Sequence, residues 1–159
     1  MLEALASLHE VKRIEHGALE SEQLSLGWPP LPAVAWTPQL AALLSLQRDA
    51  GRRLFLISAT VEDAAELAAV RASTAADPAL VVCLKASPDV VAARIDAREP
   101  DRWPGKRPLI ERARQLARSN ARLAAVDLVI DTEGRTPEGV AAEIFRAMED
   151  HGLLKDTAQ

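Results

Sequence analysis

Five cationic side chains, Arg94, Arg98, Arg102, Lys106 and Arg107, fall within a segment that also holds Pro100, Pro104 and Gly105. Proline and glycine on both sides of such charge suit a hinged loop better than a regular helix. A loop of this kind can close over an anion, exclude water and neutralise negative charge as it moves. The alternative is a solvated loop in which Arg98, Glu99 and Asp101 pair with one another, and exposed pairs of that kind contribute little. Trp103, inside the same segment, is an aromatic placed to cover a base or sugar.

The charge is local. Residues 94–122 carry nine Lys/Arg against four Asp/Glu, an excess of +5, in a chain of net charge −4. The remaining residues are therefore strongly acidic and would repel nucleic acid, so a small anion such as a nucleoside phosphate is the more economical partner. Aromatic content of 3% also disfavours a nucleic-acid surface. The three histidines lie far apart and there is one cysteine, Cys83, so no metal-ligand spacing and no internal disulfide arise. A single cysteine, no signal-peptide order and no long apolar run point to a cytoplasmic protein without a membrane partner.

The elements that must position these residues are legible from apolar spacing. Residues 2–9 read as helix and Val11–Glu15 as a short strand. Trp28-Pro-Pro-Leu-Pro32 must be irregular, and Trp28 and Trp36 flank it as loop anchors or pocket walls. Thr37-Pro38 reads as a helix start with Gly51 as its stop, and Leu40, Leu43, Leu44 and Gln47 form its stripe. Strands are expected at 53–60, 80–87 and 127–132. Helices are expected at 62–72, from Ser87-Pro88 to Arg98, at 108–122, and from Thr136-Pro137 to Gly152. In the last helix Val140, Ile144, Phe145 and Met148 face inward. Cys83 and Met148 read as core. Continuous apolar strands separated by helices predict an α/β fold, a parallel sheet with helices on both faces.

The segment GKRPLIERARQLARSNARLAAVDLVIDTEGRTPEGVAAEIF (105–145) resembles the C-terminal part of shikimate-kinase-like P-loop kinases, in which an Arg-Pro-Leu stretch follows a mobile lid. VCLKASPDVVAARIDARE (82–99) is similar to the strand–helix–lid segment of gluconate and adenylylsulfate kinases, and RIEHGALESEQL (13–24) to the end of their second strand. The resemblance implies one P-loop NTPase-like domain over residues 1–159: a three-layer parallel sheet with a lid at about 99–107. It also implies an ATP-dependent small-molecule phosphotransferase using ATP and Mg²⁺. Arg107 matches the arginine of the Arg-Pro-Leu motif, and Arg98 and Arg102 are lid residues by position. Glu15, at the expected strand end, matches the acid that orients or deprotonates the acceptor hydroxyl, with Glu20 and Glu22 as competitors. Ser58 and Thr60 stand at a strand's carboxyl end, where open parallel sheets bind ligands. Arg135 and Pro137 match a loop that packs on adenine, although Thr136-Pro137 would cap a helix in any case.

The sequence departs from the family in two places. None of its seven glycines begins a Gly-x-x-x-x-Gly-Lys-Ser/Thr loop, which supplies the amides and lysine that hold phosphates. MLEALASLHE matches the helix that follows that loop, so the central first strand is expected to be missing, through a start placed too far downstream or a shortened chain. The strand 53–60 also lacks the glycines and the acid of relatives, which argues against shikimate as acceptor and leaves the magnesium ligands unassigned. Two readings result: a kinase-like enzyme impaired as it stands, or a non-catalytic binding module that kept the scaffold, compatible with a homodimer pairing strand edges.

Overall fold

The computed structural model describes residues 1–24, 32–119 and 125–154. Among these the order is α1 (Leu2–Val11), β1 (Gly17–Glu20), α2 (Ser21–Leu24), α3 (Ala33–Asp49), β2 (Phe55–Ser58), α4 (Ala64–Thr74), β3 (Val82–Lys85), α5 (Pro88–Arg98), α6 (Lys106–Ser119), β4 (Leu128–Asp131) and α7 (Pro137–Asp150). The chain is α/β with parallel pairing, as its apolar runs predict. The pairing is nevertheless divided: β1 joins β2 and β3 joins β4, each as a two-stranded sheet. The chain falls into two compact units, residues 1–80 with 137–159, and residues 81–136.

In the first unit β1 and β2 run in register from Gly17 opposite Phe55 to Glu20 opposite Ser58. Their inner side meets α3, whose stripe buries Leu40 and Leu44 completely; Trp36 and Val70 complete that cluster, and Leu19, Phe55 and Ile57 pack on it. Burying one such leucine stabilises by about 1.5–3 kcal/mol. The helix ends are chemically marked. Asp63 accepts from the Glu66 amide at 2.8 Å to start α4, while Glu66 accepts from the Glu62 amide at 2.7 Å. Gly51, at φ +95°, stops α3 in a left-handed turn that a side chain would strain. Against α1, α7 buries Val140, Ile144, Phe145 and Met148, the inward face expected for it.

In the second unit β3 and β4 run from Val82 opposite Leu128 to Lys85 opposite Asp131. Ile130 is buried, yet Leu84 and Val129 remain 42% and 41% exposed. Helix α5 packs on α6 and buries Ala92 and Ile95. Arg94 reaches the end of β4, donating from Nη1 to Thr132 Oγ1 at 2.9 Å and from Nη2 to the Thr132 carbonyl at 2.8 Å.

Several boundaries differ from those expected. Val11–Glu15 is not a strand: α1 runs on to Val11, and Arg13 takes φ +57°, which no strand residue adopts. The strand comes later, at Gly17–Glu20. Helix α3 begins at Ala33 rather than Thr37, so Pro38 lies inside the helix and Thr37 is buried. Ser87 precedes α5 without a side-chain cap; its amide donates to Glu133 instead. Helix α6 starts at Lys106, two residues early, and takes Lys106 and Arg107 out of the loop. Most of the proline-rich loop, with Trp28, and residues 120–122 lie outside the described residues. Cys83 is half-buried rather than core, and burial raises its thiol pKa.

Candidate functional site

Residues 99–105 connect α5 to α6 through two tight turns, in which the Trp103 amide donates to the Pro100 carbonyl at 3.0 Å and the Lys106 amide to the Trp103 carbonyl at 3.1 Å. Proline at 100 and 104 removes two donors, so the chain turns instead of continuing α5. The turns fold the segment back on α6 and bring Lys106 between two acids. Its Nζ lies 2.7 Å from Asp101 Oδ1 and 2.9 Å from Asp96 Oδ1, and its side chain is only 9% exposed. The hydrogen bond from Lys106 holds the Asp101 carboxyl below its ordinary pKa. The same bond, followed by the one to Asp96, raises the lysine.

Beside this clasp opens a cavity of about 390 Å³ lined by Arg102, Trp103, Pro104, Arg107 and Ile110 together with the clasp itself. That volume lies in the range of small-molecule sites, roughly 300–1,000 Å³. Among the described residues no hydrogen bond or ion pair engages the guanidinium of Arg102 or of Arg107. Arg98, by contrast, ends α5 with its Nε 2.7 Å from Glu99 Oε1, the local pairing that competed with a lid role. The loop therefore brings Arg102 and Arg107 to one cavity and leaves Arg98 engaged beside it.

The carboxyl ends of the two ladders carry polar register pairs. Glu20 stands opposite Ser58 at the end of β1–β2. Lys85 stands opposite Asp131 at the end of β3–β4, with Nζ 3.3 Å from Oδ2. Asp131 is held below its ordinary pKa first by the Glu133 amide and only then by Lys85. Ligands of open parallel sheets sit at this end. Glu15, however, precedes β1 and is exposed, at the entrance of the strand rather than its exit. Glu20 holds the position that the expected strand would have given Glu15. Thr60 lies two residues beyond β2, exposed like Ser58. Arg135 folds back on β4, donating from Nη1 to the Asp131 carbonyl at 3.4 Å, and Pro137 is the first residue of α7. Trp36 lies in the core cluster of α3.

Sequence reasoning missed the Lys106 clasp and the Glu20–Ser58 pair. Asp96, Asp101 and Lys106 recur at intervals of five, which no helix or strand period flags. Glu20 was visible as a competitor, and its selection depended on where the strand began.

For metal, the donor set is thin: among the described residues no group of three or more His, Cys, Asp or Glu converges. Mg²⁺ in nucleotide sites is held by one or two carboxylates together with phosphate oxygens and water, so this count does not bear on it, and no step is assigned to the metal. The two arginines do fit a phosphate-bearing ligand, because guanidinium donors match phosphate oxygens in pairs. Among the described residues no helix is long and apolar enough to cross a membrane. No protein-family model and no curated protein matches this sequence.

Proposed function

We propose that this chain is a nucleotide-binding protein of the shikimate-, gluconate- and adenylylsulfate-kinase-like group of P-loop proteins, its 99–107 segment serving as the lid. The observation that carries this reading is the cavity with two guanidinium groups that no acid among the described residues pairs with, next to a lysine that two acids engage. Charge left open in this way meets an external anion.

In the phosphotransferase chemistry of this group an acceptor hydroxyl oxygen attacks the γ-phosphorus of ATP. The bond to the β,γ-bridging oxygen breaks, ADP leaves, and the hydroxyl proton passes to a carboxylate. The lid arginines neutralise charge on the moving phosphoryl group.

A second reading, a non-catalytic nucleotide-binding module, is favoured by the residues that hold phosphate and metal in the group. These 159 residues contain no Gly-x-x-x-x-Gly-Lys-Ser/Thr loop. Both readings share nucleotide binding. The test is calorimetric titration with Mg·ATP, beside an Arg107→Ala variant. Micromolar binding that weakens about tenfold or more in the variant, as loss of a charge-assisted contact would give, supports the reading. No heat at millimolar ATP would sink it.

A further inference from the structure

Trp103 is a large aromatic left 43% exposed, in a loop whose other bulky groups are charged. Its ring nevertheless rests on the backbone of its own loop. A Cβ built on Gly105 would fall 2.4 Å from Trp103 Cζ2 and 2.7 Å from Cε2, so the indole lies directly against the glycine backbone. Its own amide and carbonyl are held by the turns that frame the loop. An indole seated on backbone, with much of its surface left to solvent, is a preformed platform for a flat ring.

The charges around it define what else the ligand carries. Three cations line the cavity, Arg102, Lys106 and Arg107, against two carboxylates, Asp96 and Asp101. Both carboxylates are bound to Lys106, which takes the lysine out of contention as an anion ligand. Arg102 and Arg107 flank Trp103 on either side in sequence and open on the same cavity. A platform for a ring and two donors for phosphate on one cavity describe a ligand that has both parts.

We propose that the 99–110 segment is a ring-and-phosphate site: the indole of Trp103 stacks on the base of a nucleoside triphosphate while Arg102 and Arg107 bind its phosphates. Lys106 acts as a positioning residue, anchoring the loop through Asp96 and Asp101 without touching the ligand. The proposal rests on the nucleotide-binding reading above and adds the part of the ligand that Trp103 recognises. It makes the base, and not phosphate alone, a determinant of affinity.

The experiment compares ATP with inorganic tripolyphosphate by calorimetry, on the whole chain and on Trp103→Ala and Trp103→Phe variants whose far-ultraviolet circular dichroism matches the parent. Stacking of one base on an aromatic changes affinity by about tenfold or more. ATP is therefore expected to bind at least that much more tightly than tripolyphosphate, to lose the advantage in Trp103→Ala, and to keep most of it in Trp103→Phe. Tripolyphosphate binding is expected to be the same in all three. If ATP and tripolyphosphate bind alike, and Trp103→Ala changes neither, the ring subsite is overturned while nucleotide binding through the arginines stands. If ATP does not bind the parent chain at all, the nucleotide reading falls and the ring subsite falls with it.

Discussion

Lys106 Nζ lies 2.7 Å from Asp101 Oδ1, joining the first residue of α6 to the turn that precedes it by five residues. With Asp96 on α5 as its second partner, this one ammonium ties both helices and the loop between them. The pH range of the clasp follows from its two ends. Asp101 is depressed below 3.8 by Lys106, so its contribution is present above that value and is lost as pH falls through the lower folded pKa. Lys106 is raised above 10.5, so its contribution is present below that value and is lost as pH rises through the higher folded pKa. Across the whole physiological range the clasp is closed.

Lys106→Met keeps the length of the stem and removes the charge. Asp96 and Asp101 then face each other's charge with no cation between them, and the turn loses its anchor. Hydrogen exchange of the amides at 103–110 is expected to speed up by about fivefold to tenfold, the loss of two ion pairs whose acids are exposed. The β1–β2 amides should keep their rates. Unchanged exchange at 103–110 would mean that the prolines and backbone turns alone hold the loop.

Gly105→Ala tests the seat of the indole. Gly105 has an ordinary φ, so the substitution acts through space alone, by pushing a methyl group to within 2.4 Å of Trp103 Cζ2. A tryptophan emission maximum shifted to the red is expected as the half-exposed ring swings into water, with a stability change within about 0.5 kcal/mol, as for surface substitutions. An emission spectrum identical to the parent would show that the ring is not held against this backbone.

His9 predicts a pH dependence in the first unit. The ring is fully buried; Nδ1 donates to the Leu5 carbonyl at 2.8 Å, and buried Nε2 has no partner among the described residues. Phe145 of α7 meets the ring edge-on at 5.0 Å, His16 lies at 5.3 Å, and Lys12 stands over Phe145. Protonation would bury a charge at Nε2, so desolvation, and after it the neighbouring His16, lowers the pKa below 6.5. The unfolded chain binds the proton first as pH falls, so stability is intact above about pH 6.5 and declines below it. The slope is at most about 1.4 kcal/mol per pH unit for one proton. Urea unfolding at pH 7 and pH 5.5 measures the slope, and His9→Leu should flatten it. A parent protein equally stable at both values would refute the assignment.

Elements were legible wherever burial imposed a single period. Leu40 and Leu44 marked α3, and Val140, Ile144, Phe145 and Met148 marked α7, because each stripe had one core to face. The start of β1 was not, because Val11 and Ile14 are as apolar as Ala18 and Leu19. A helix end turned by Arg13 at φ +57° leaves no trace in composition. That slip of a few residues moved the acid at the strand end from Glu20 to Glu15. The basic loop was legible as charge but not as arrangement. Which of its cations meets an acid depends on where the turn points Asp101, and a sequence does not record that direction.

Each strand, four residues long, has one ladder partner among the described residues, and Leu84 and Val129 stay largely exposed. Ladders this short open by local fluctuation, well before the helices around Leu40 and Leu44 let go. The strands are therefore the fast clock of this chain and α3 its slow one. An exchange experiment should separate the two by rate, with β3 and β4 relaxing first.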